Sequence, residues 1–292
     1  MTLQDRMKEV RQQVNAELER ILVVPETRDS RVVEAMRYSV IGTGKALRPF
    51  LVMTIGELLG ISQKTALRIG VAIEMLHTFS LIHDDLPAID NDTLRRGKPT
   101  NHVEFDEATA IMAGDGLLTK SFAVLSDPET SDNAEIRSKL VQALADGCGK
   151  MIRGEMLDII GETQTLNLDE IEYMQTCKTG ALLEFSCIAP AIAAGSDETV
   201  LSALKAYAKV LGLMFQITDD ILDVEGDIQL VGKTLGKDVK SHKSTFVSIL
   251  GLDKAKELVK HLYAQGIESL IPFGEKADIL REVLAYIIER KK

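Results

Sequence analysis

The sequence predicts an all-α protein. Three observations lead there: apolar residues recur at three- and four-residue spacing through nearly every long segment, sustained two-residue alternation is absent, and glycine and proline fall at about helix-length intervals. The first face is Val14, Leu18, Ile21 and Leu22, closed by Pro25. Gly42, Gly44 and Gly60 divide the next segment, and a long apolar stretch over 63–85 stops at Pro87. A turn from Gly97 to Pro99, then Pro128, precede a helix over 133–160 that Gly161 ends. The apolar stretch Ile171 to Ala194 reaches Gly195, and Val200, Leu204, Tyr207, Leu211 and Met214 form the face of a helix over 197–224, before Gly226 and later Gly274. Roughly ten helices fit between these breaks. The stretches 63–85, 133–160 and 197–224 are apolar on more than a narrow stripe, which places them at the centre of a bundle, and a charge inside such a helix needs a reason.

With 292 residues, 45% hydrophobic and 27% charged, the chain is globular rather than disordered. No linker, low-complexity tract or shift in composition interrupts it, so residues 1–292 are expected to form a single domain. Its 34 Lys and Arg against 44 Asp and Glu give a net charge of −10, which argues against nucleic acid as a partner. Cys148, Cys177 and Cys187 are too few and too irregular for a disulfide framework or a zinc site and read as reduced core thiols. The opening MTLQDRMKEVRQQ has no apolar core of a secretory signal. The longest charge-free apolar run, between Glu184 and Asp197, contains Pro190 and is shorter than the roughly 20 residues of a membrane span. The expectation is a cytoplasmic protein with no transmembrane segment.

Two acidic clusters carry the chemistry. His83-Asp84-Asp85-Leu86-Pro87-Ala88-Ile89-Asp90-Asn91-Asp92 follows the apolar run from Ile73 to Ile82, and Phe215-Gln216-Ile217-Thr218-Asp219-Asp220-Ile221-Leu222-Asp223 ends the helix over 197–224. Each cluster closes an apolar helix and is followed by a basic loop, which suggests two half-sites. Asp219 and Asp223, four apart, share a helix face. Asp84 and Asp90 would diverge on a straight helix, but Pro87 distorts it and can bring Asp90 back. Carboxylates gathered without His or Cys suit a hard cation such as Mg²⁺, which takes one or two of them and completes its shell with water and substrate phosphate.

Basic residues lie near these acids in sequence. Gly42-Thr43-Gly44-Lys45-Ala46-Leu47-Arg48-Pro49 precedes the first cluster and Arg95-Arg96-Gly97-Lys98-Pro99 follows it. Neither is a P-loop or a dinucleotide fingerprint. Together with a magnesium-type cluster they resemble a diphosphate clamp, because glycine admits close approach of an anion and Lys and Arg supply fixed charge. His77 lies seven residues before Asp84, on the same helix face. Lys178-Thr179-Gly180 interrupts an apolar stretch, where a lysine needs a charged partner or an anionic ligand and Gly180 weakens the helix enough for a kink to expose Thr179. Lys233, Lys237 and Lys243 follow the second acidic cluster.

The segments GTGKALRPF, LIHDDLPAID with LRRGKPT, the KTG at Lys178, FQITDDILD, and GKTLGKD with HKSTF closely resemble the trans-isoprenyl diphosphate synthases, most of all the bacterial farnesyl diphosphate synthases, from about residue 30 to the C-terminus. The resemblance implies the isoprenoid synthase fold, a helical bundle around a deep central cavity with the two Asp-rich motifs at its mouth, in a polyprenyl synthetase domain that forms a homodimer. It implies that Asp84, Asp85, Asp90, Asp219, Asp220 and Asp223 hold Mg²⁺, three ions in all, and that Asp84, Asp85, Asp90, Asp219 and Asp220 act in catalysis with Lys178. Lys45, Arg48, His77 and Arg96 would bind isopentenyl diphosphate, and Arg95, Lys178, Thr179, Gln216, Lys233 and Lys243 the allylic substrate. The implied reaction is head-to-tail prenyl transfer from dimethylallyl or geranyl diphosphate, giving farnesyl diphosphate.

In this family elongation stops at residues before the first Asp motif. Phe79, five residues before Asp84, resembles a farnesyl synthase, whereas Ser80 beside it is small, and a geranylgeranyl (C20) synthase is the alternative. Thr43, Asn91 and His242 depart from the usual pattern, and Arg290 resembles a C-terminal residue that closes over the isopentenyl site. A class I terpene cyclase would carry a different second metal motif, and a non-catalytic modulatory relative would have lost metal aspartates. Neither fits.

Overall fold

The structure, a computed structural model, describes residues 2–42, 44–225 and 245–289. Thr43, Lys233, Lys237, His242, Lys243 and Arg290 lie outside the described residues. The helices are α1 (Leu3–Ile21), α2 (Ser30–Val40), α3 (Leu47–Leu59), α4 (Gln63–Asp84), α5 (Asn101–Glu104), α6 (Glu107–Ser126), α7 (Ala134–Gly161), α8 (Leu168–Gln175), α9 (Ala181–Ala193), α10 (Glu198–Glu225), α11 (Phe246–Leu250), α12 (Leu252–Ser269) and α13 (Asp278–Glu289). A π-helical turn, Thr176–Gly180, joins α8 to α9, and a 3₁₀ segment, Ile271–Ala277, precedes α13. Among the described residues the strands are β1 (Leu94–Arg95) and β2 (Lys98–Pro99), an antiparallel pair.

The chain divides into two compact units, Met1–Ala145 with Ala189–Gly195, and Asp146–Ile188 with Ser196–Lys292. In the first, α4 packs against α1, α2, α3 and α6. Ser62 starts α4 by accepting the Thr65 N–H at 3.0 Å, and the helix is buried on nearly every side, through Ile69, Ala72, Ile73, Leu76 and Ile82 among others. Arg68, 3% exposed, ties α4 to α1 through Glu17 at 3.2 Å and to the loop after α6 through Asp127 at 3.3 Å, Glu129 at 3.4 Å and the Thr130 hydroxyl at 2.9 Å. α1 opens with a capping box in which Thr2 and Asp5 satisfy each other's backbone N–H, and turns Met7, Val10, Val14 and Leu18 inward.

In the second unit α10 is the hub, packed by α12, α13, α11, α8 and the π turn. Leu204, Tyr207, Leu211, Met214 and Ile217 are buried, and the Tyr207 hydroxyl donates to the Leu280 carbonyl at 2.9 Å. Cys148, Cys177 and Cys187 are free and buried, as the composition suggested.

By length and hydropathy α4, α6 and α10 are each apolar enough to cross a membrane, although no charge-free run is. Isolated charges such as Arg68 and Glu74 end a charge-free count without changing the helix average. In α4, 72% of the apolar window is buried inside the protein, so for this helix its own packing accounts for the apolarity.

Candidate active site

In the first unit the end of α4 organises the acidic motif. The helix stops at Asp84, and the chain turns through Asp85 to Asn91 so that the Asp90 N–H donates to the Asp84 carbonyl at 2.8 Å and the Asn91 N–H to the Leu86 carbonyl at 3.1 Å. The turn around Pro87 thus returns Asp90 to Asp84. Asn91 stands at φ 52°, a left-handed conformation that Asn tolerates better than most residues.

Asp85 faces the other way. It is 2% exposed, and Arg95 holds it with three hydrogen bonds of 2.7 to 2.9 Å through Nε and Nη2. Burial pushes the Asp85 carboxyl up against the pull of Arg95, while burial of Arg95 is more than offset by its hydrogen bond and attraction to Asp85. Arg95 can reach because β1 and β2 form a two-residue hairpin, Arg96-Gly97, with both central residues at positive φ (53° and 77°), the signature of a type I′ turn. The Tyr38 hydroxyl donates to the Pro99 carbonyl at 2.9 Å, and Asn101 Nδ2 to the Ala35 carbonyl at 2.8 Å, which anchors the hairpin to α2.

The same hairpin brings Arg96 onto Gly44. A Cβ at Gly44 would collide with the guanidinium, and Gly44 sits at φ +79°. Its carbonyl accepts from Arg11 Nη1 at 3.2 Å. Ala46, next to Lys45, is also left-handed (φ 50°, ψ 38°) where it starts α3 and aims Arg48. Burial lowers the Arg48 guanidinium to about 10, with Glu74 opposing and Arg96 adding to the shift, and its buried Nε has no hydrogen-bond partner among the described residues. Burial, then the charges of Arg48, Arg96 and Arg95, holds the His77 imidazole well below its usual range, so His77 is neutral. Lys45 is exposed beside this group. Together Arg48, His77 and Arg96 make an electropositive cradle with an unsatisfied donor, suited to an anion.

Sequence reasoning missed Glu74. It is 5% exposed, three residues before His77, and burial raises its carboxyl against the attraction of Arg48 and Arg96. It is the buried counter-charge to Arg48 and Arg96, and a lone acid in an apolar helix was the available signal. Phe79, 7% exposed, meets His83 edge-on at 4.9 Å and 78°, and Ser80 donates to the His77 carbonyl at 2.9 Å.

In the second unit α10 carries Asp219 and Asp223, half-buried and one turn apart. Asp220, 4% exposed, accepts the Phe246 N–H at 2.9 Å and Gln216 Nε2 at 3.2 Å, which docks the start of α11. The buried Thr218 hydroxyl lacks a partner among the described residues. Lys178 lies in the π turn, a helix defect often found at functional sites, with Thr179 half-buried beside it. Its ammonium pairs with Glu155 at 2.8 Å and Asp158 at 2.6 Å, two further residues that their place in the sequence did not single out. Burial opposes the Lys178 charge, but Asp158 and Glu155 more than offset it.

The donor chemistry fits Mg²⁺. Among the described residues no three carboxylate, imidazole or thiol groups converge on one point. Mg²⁺ takes one or two carboxylates when phosphate and water fill the rest of its shell, and each motif carries three aspartates, Asp84, Asp85 and Asp90 in one and Asp219, Asp220 and Asp223 in the other. Of these, Asp85 is held by Arg95, and Asp220 accepts the Phe246 N–H.

Known proteins resemble this chain in sequence and in fold. Residues 29–273 match the family model for polyprenyl synthetases. A farnesyl diphosphate synthase of Micrococcus luteus is 43% identical over 292 residues, covering 99% of this chain and 100% of the relative. A chloroplastic geranylgeranyl pyrophosphate synthase of Catharanthus roseus is 40% identical over 281 residues, covering 95% of this chain and 78% of the relative. The apo crystal structure of an FPP/GFPP synthase from Zymomonas mobilis aligns with a TM-score of 0.89 at 41% identity, over 98% of each chain.

Proposed function

The chain belongs to the polyprenyl synthetase family, and from that premise we propose that it is a magnesium-dependent prenyltransferase that joins isopentenyl diphosphate head-to-tail to dimethylallyl or geranyl diphosphate and releases farnesyl diphosphate. The observation that carries this reading is the electropositive group of Arg48, His77 and Arg96, with Arg96 against Gly44 and a buried Arg48 Nε that has no partner among the described residues. It is the place for a bound diphosphate that must not react.

Isopentenyl diphosphate keeps its C–O bond, and its diphosphate needs only holding. Arg48 and Arg96 hold it by charge, and neutral His77 adds an N–H donor without further positive charge. The allylic diphosphate is the leaving group. Its C–O bond breaks with the electron pair passing to oxygen, so catalysis consists of stabilising that negative charge. Lys178, Thr179, Gln216, Lys233 and Lys243 are the proposed contacts, with Arg95 beside Asp85. Bound Mg²⁺, held by Asp84, Asp90, Asp219 and Asp223, supplies Lewis-acid charge neutralisation at the leaving group. The isopentenyl double bond then attacks the allylic cation, and the proton lost from the new chain passes to released diphosphate. Water has to be kept out until this is done, because it would turn the cation into an alcohol.

We further read the protein as a cytoplasmic homodimer acting on small diphosphates, not on nucleic acid, with the two compact units serving one polyprenyl synthetase domain. The test incubates purified protein and Mg²⁺ with isopentenyl diphosphate and each allylic primer in turn, followed by mass analysis. A C15 product is expected. Failure to consume isopentenyl diphosphate with every primer would overturn the activity, and a C20 product would make the chain a geranylgeranyl synthase. Phe79→Ala is expected to extend the product past C15, since the aromatic ring fills the space five residues before Asp84; an unchanged product would remove Phe79 as the chain-length stop.

A further inference from the structure

An ammonium has three N–H donors. In the π turn Lys178 Nζ meets three carboxylate oxygens: Glu155 Oε1 at 3.0 Å, Glu155 Oε2 at 2.8 Å and Asp158 Oδ2 at 2.6 Å. Two of the three donors are in hydrogen bonds, to Glu155 Oε1 and Asp158 Oδ2, and Glu155 Oε2 lies within ion-pair distance, so two carboxylates already converge on one ammonium. Both acids come from α7, three residues apart, and both are largely buried, with side chains 16% and 15% exposed. The register is fixed by Gly154: a Cβ there would collide with the Lys178 backbone, so α7 lies directly on the π turn.

A diphosphate oxygen that approaches Nζ meets two carboxylates already drawn to it. The two carboxylates are not equivalent. Asp158 makes one short, charge-assisted bond, whereas Glu155 spreads over two longer contacts on a side chain with one more rotatable bond. We propose that Glu155 is a positioning residue that occupies Lys178 while no allylic diphosphate is bound and yields its place on binding, and that Asp158 stays to hold the ammonium in register. Glu155 thereby adds a second counter-charge to an ammonium that Asp158 already holds, and it opposes the anion that replaces it. This rests on the reading of Lys178 as a ligand of the allylic diphosphate.

The consequence is a split between two neighbouring acids. Glu155→Gln keeps the shape and removes the competing charge, so the KM for geranyl diphosphate should fall about threefold or more, the effect of one charge removed at close range. Inorganic diphosphate with Mg²⁺ should bind correspondingly tighter by calorimetry, and the KM for isopentenyl diphosphate should stay within about twofold. Asp158→Asn loses the anchor, so its KM for geranyl diphosphate should rise. The experiment measures kcat and both KM values for the wild type, Glu155→Gln, Asp158→Asn and Lys178→Ala, with melting temperatures for each. Glu155→Ser provides the same comparison if the amide itself takes up Lys178. An unchanged geranyl diphosphate KM in Lys178→Ala would remove the underlying reading. A weakened Lys178→Ala together with a Glu155→Gln KM that is unchanged or raised would overturn the proposal, as would Glu155 and Asp158 variants that move in the same direction.

Discussion

Gly44 shows how much of the cradle depends on single positions. Its φ of +79° and the guanidinium of Arg96 against it mean that Gly44→Ala meets both backbone strain and a collision. We expect a loss of about 1–2 kcal/mol in urea unfolding, and a larger proportional rise in the KM for isopentenyl diphosphate, because Arg96 is what must move. Unchanged KM would dissociate Arg96 from that substrate. His77 makes a prediction about pH. Its imidazole titrates in the folded chain well below the ordinary value of 6.5, so as pH falls below about 6.5 the unfolded chain takes up a proton that the folded chain refuses, and stability is lost on the acid side. Glu74 acts in the opposite sense: its carboxyl is raised above 4.5, so the folded chain takes up that proton first and gains stability on acidification. His77→Gln removes the first effect alone. The fall in melting temperature between pH 7 and pH 5 should therefore be shallower in His77→Gln than in the wild type, and an equal slope would show that His77 carries a proton in the folded protein.

At the scale of elements, the long helices were legible and their decorations were not. The end of α4 at Asp84 follows from Pro87 three residues on, and the return of Asp90 from the residues that must turn between them. The hairpin at 94–99 was hidden, since Arg-Arg-Gly-Lys has no strand pattern and its conformation depends on a positive φ at Arg96 that no residue preference announces. The pairing of Glu155 and Asp158 with Lys178 was hidden for another reason: two acids three apart on a helix normally face water, and nothing in their spacing says that a π turn lies against them. The buried Arg68 is a third hidden device, joining α1, α4 and the loop after α6. Breaking a buried ion pair usually costs about 3–5 kcal/mol because the orphaned charge stays dry. Here Asp127 and Glu129 are 43% and 44% exposed and can rehydrate, whereas Glu17 is only 13% exposed. Arg68→Ala should therefore cost near the low end, about 3 kcal/mol, with product length and both KM values unchanged in the folded fraction. A cost under about 1 kcal/mol would show that apolar packing alone fixes α1 on α4.

For the whole molecule the balance of charge decides how substrate and metal must enter. The chain carries −10 overall, and several cations of the site are already matched: Arg95 by Asp85, Lys178 by Glu155 and Asp158. A bare diphosphate adds negative charge, and beyond the cradle of Arg48, His77 and Arg96 the cations it meets are already paired with carboxylates. Mg²⁺ alone lacks the phosphate oxygens that would complete its shell. Each partner supplies what the other needs, so binding should be synergistic. Ligand at a hundred times its dissociation constant stabilises the folded state by about 2.7 kcal/mol, which at this chain length raises the melting temperature by several degrees. We expect that shift with Mg²⁺ and inorganic diphosphate together, and much smaller shifts with either alone. Asp84→Ala should lower the joint shift while leaving the unliganded melting temperature nearly unchanged, since Asp84 is only half-buried. A full shift with Mg²⁺ alone would mean that the carboxylates complete a metal site without substrate, and the expected synergy would then be wrong.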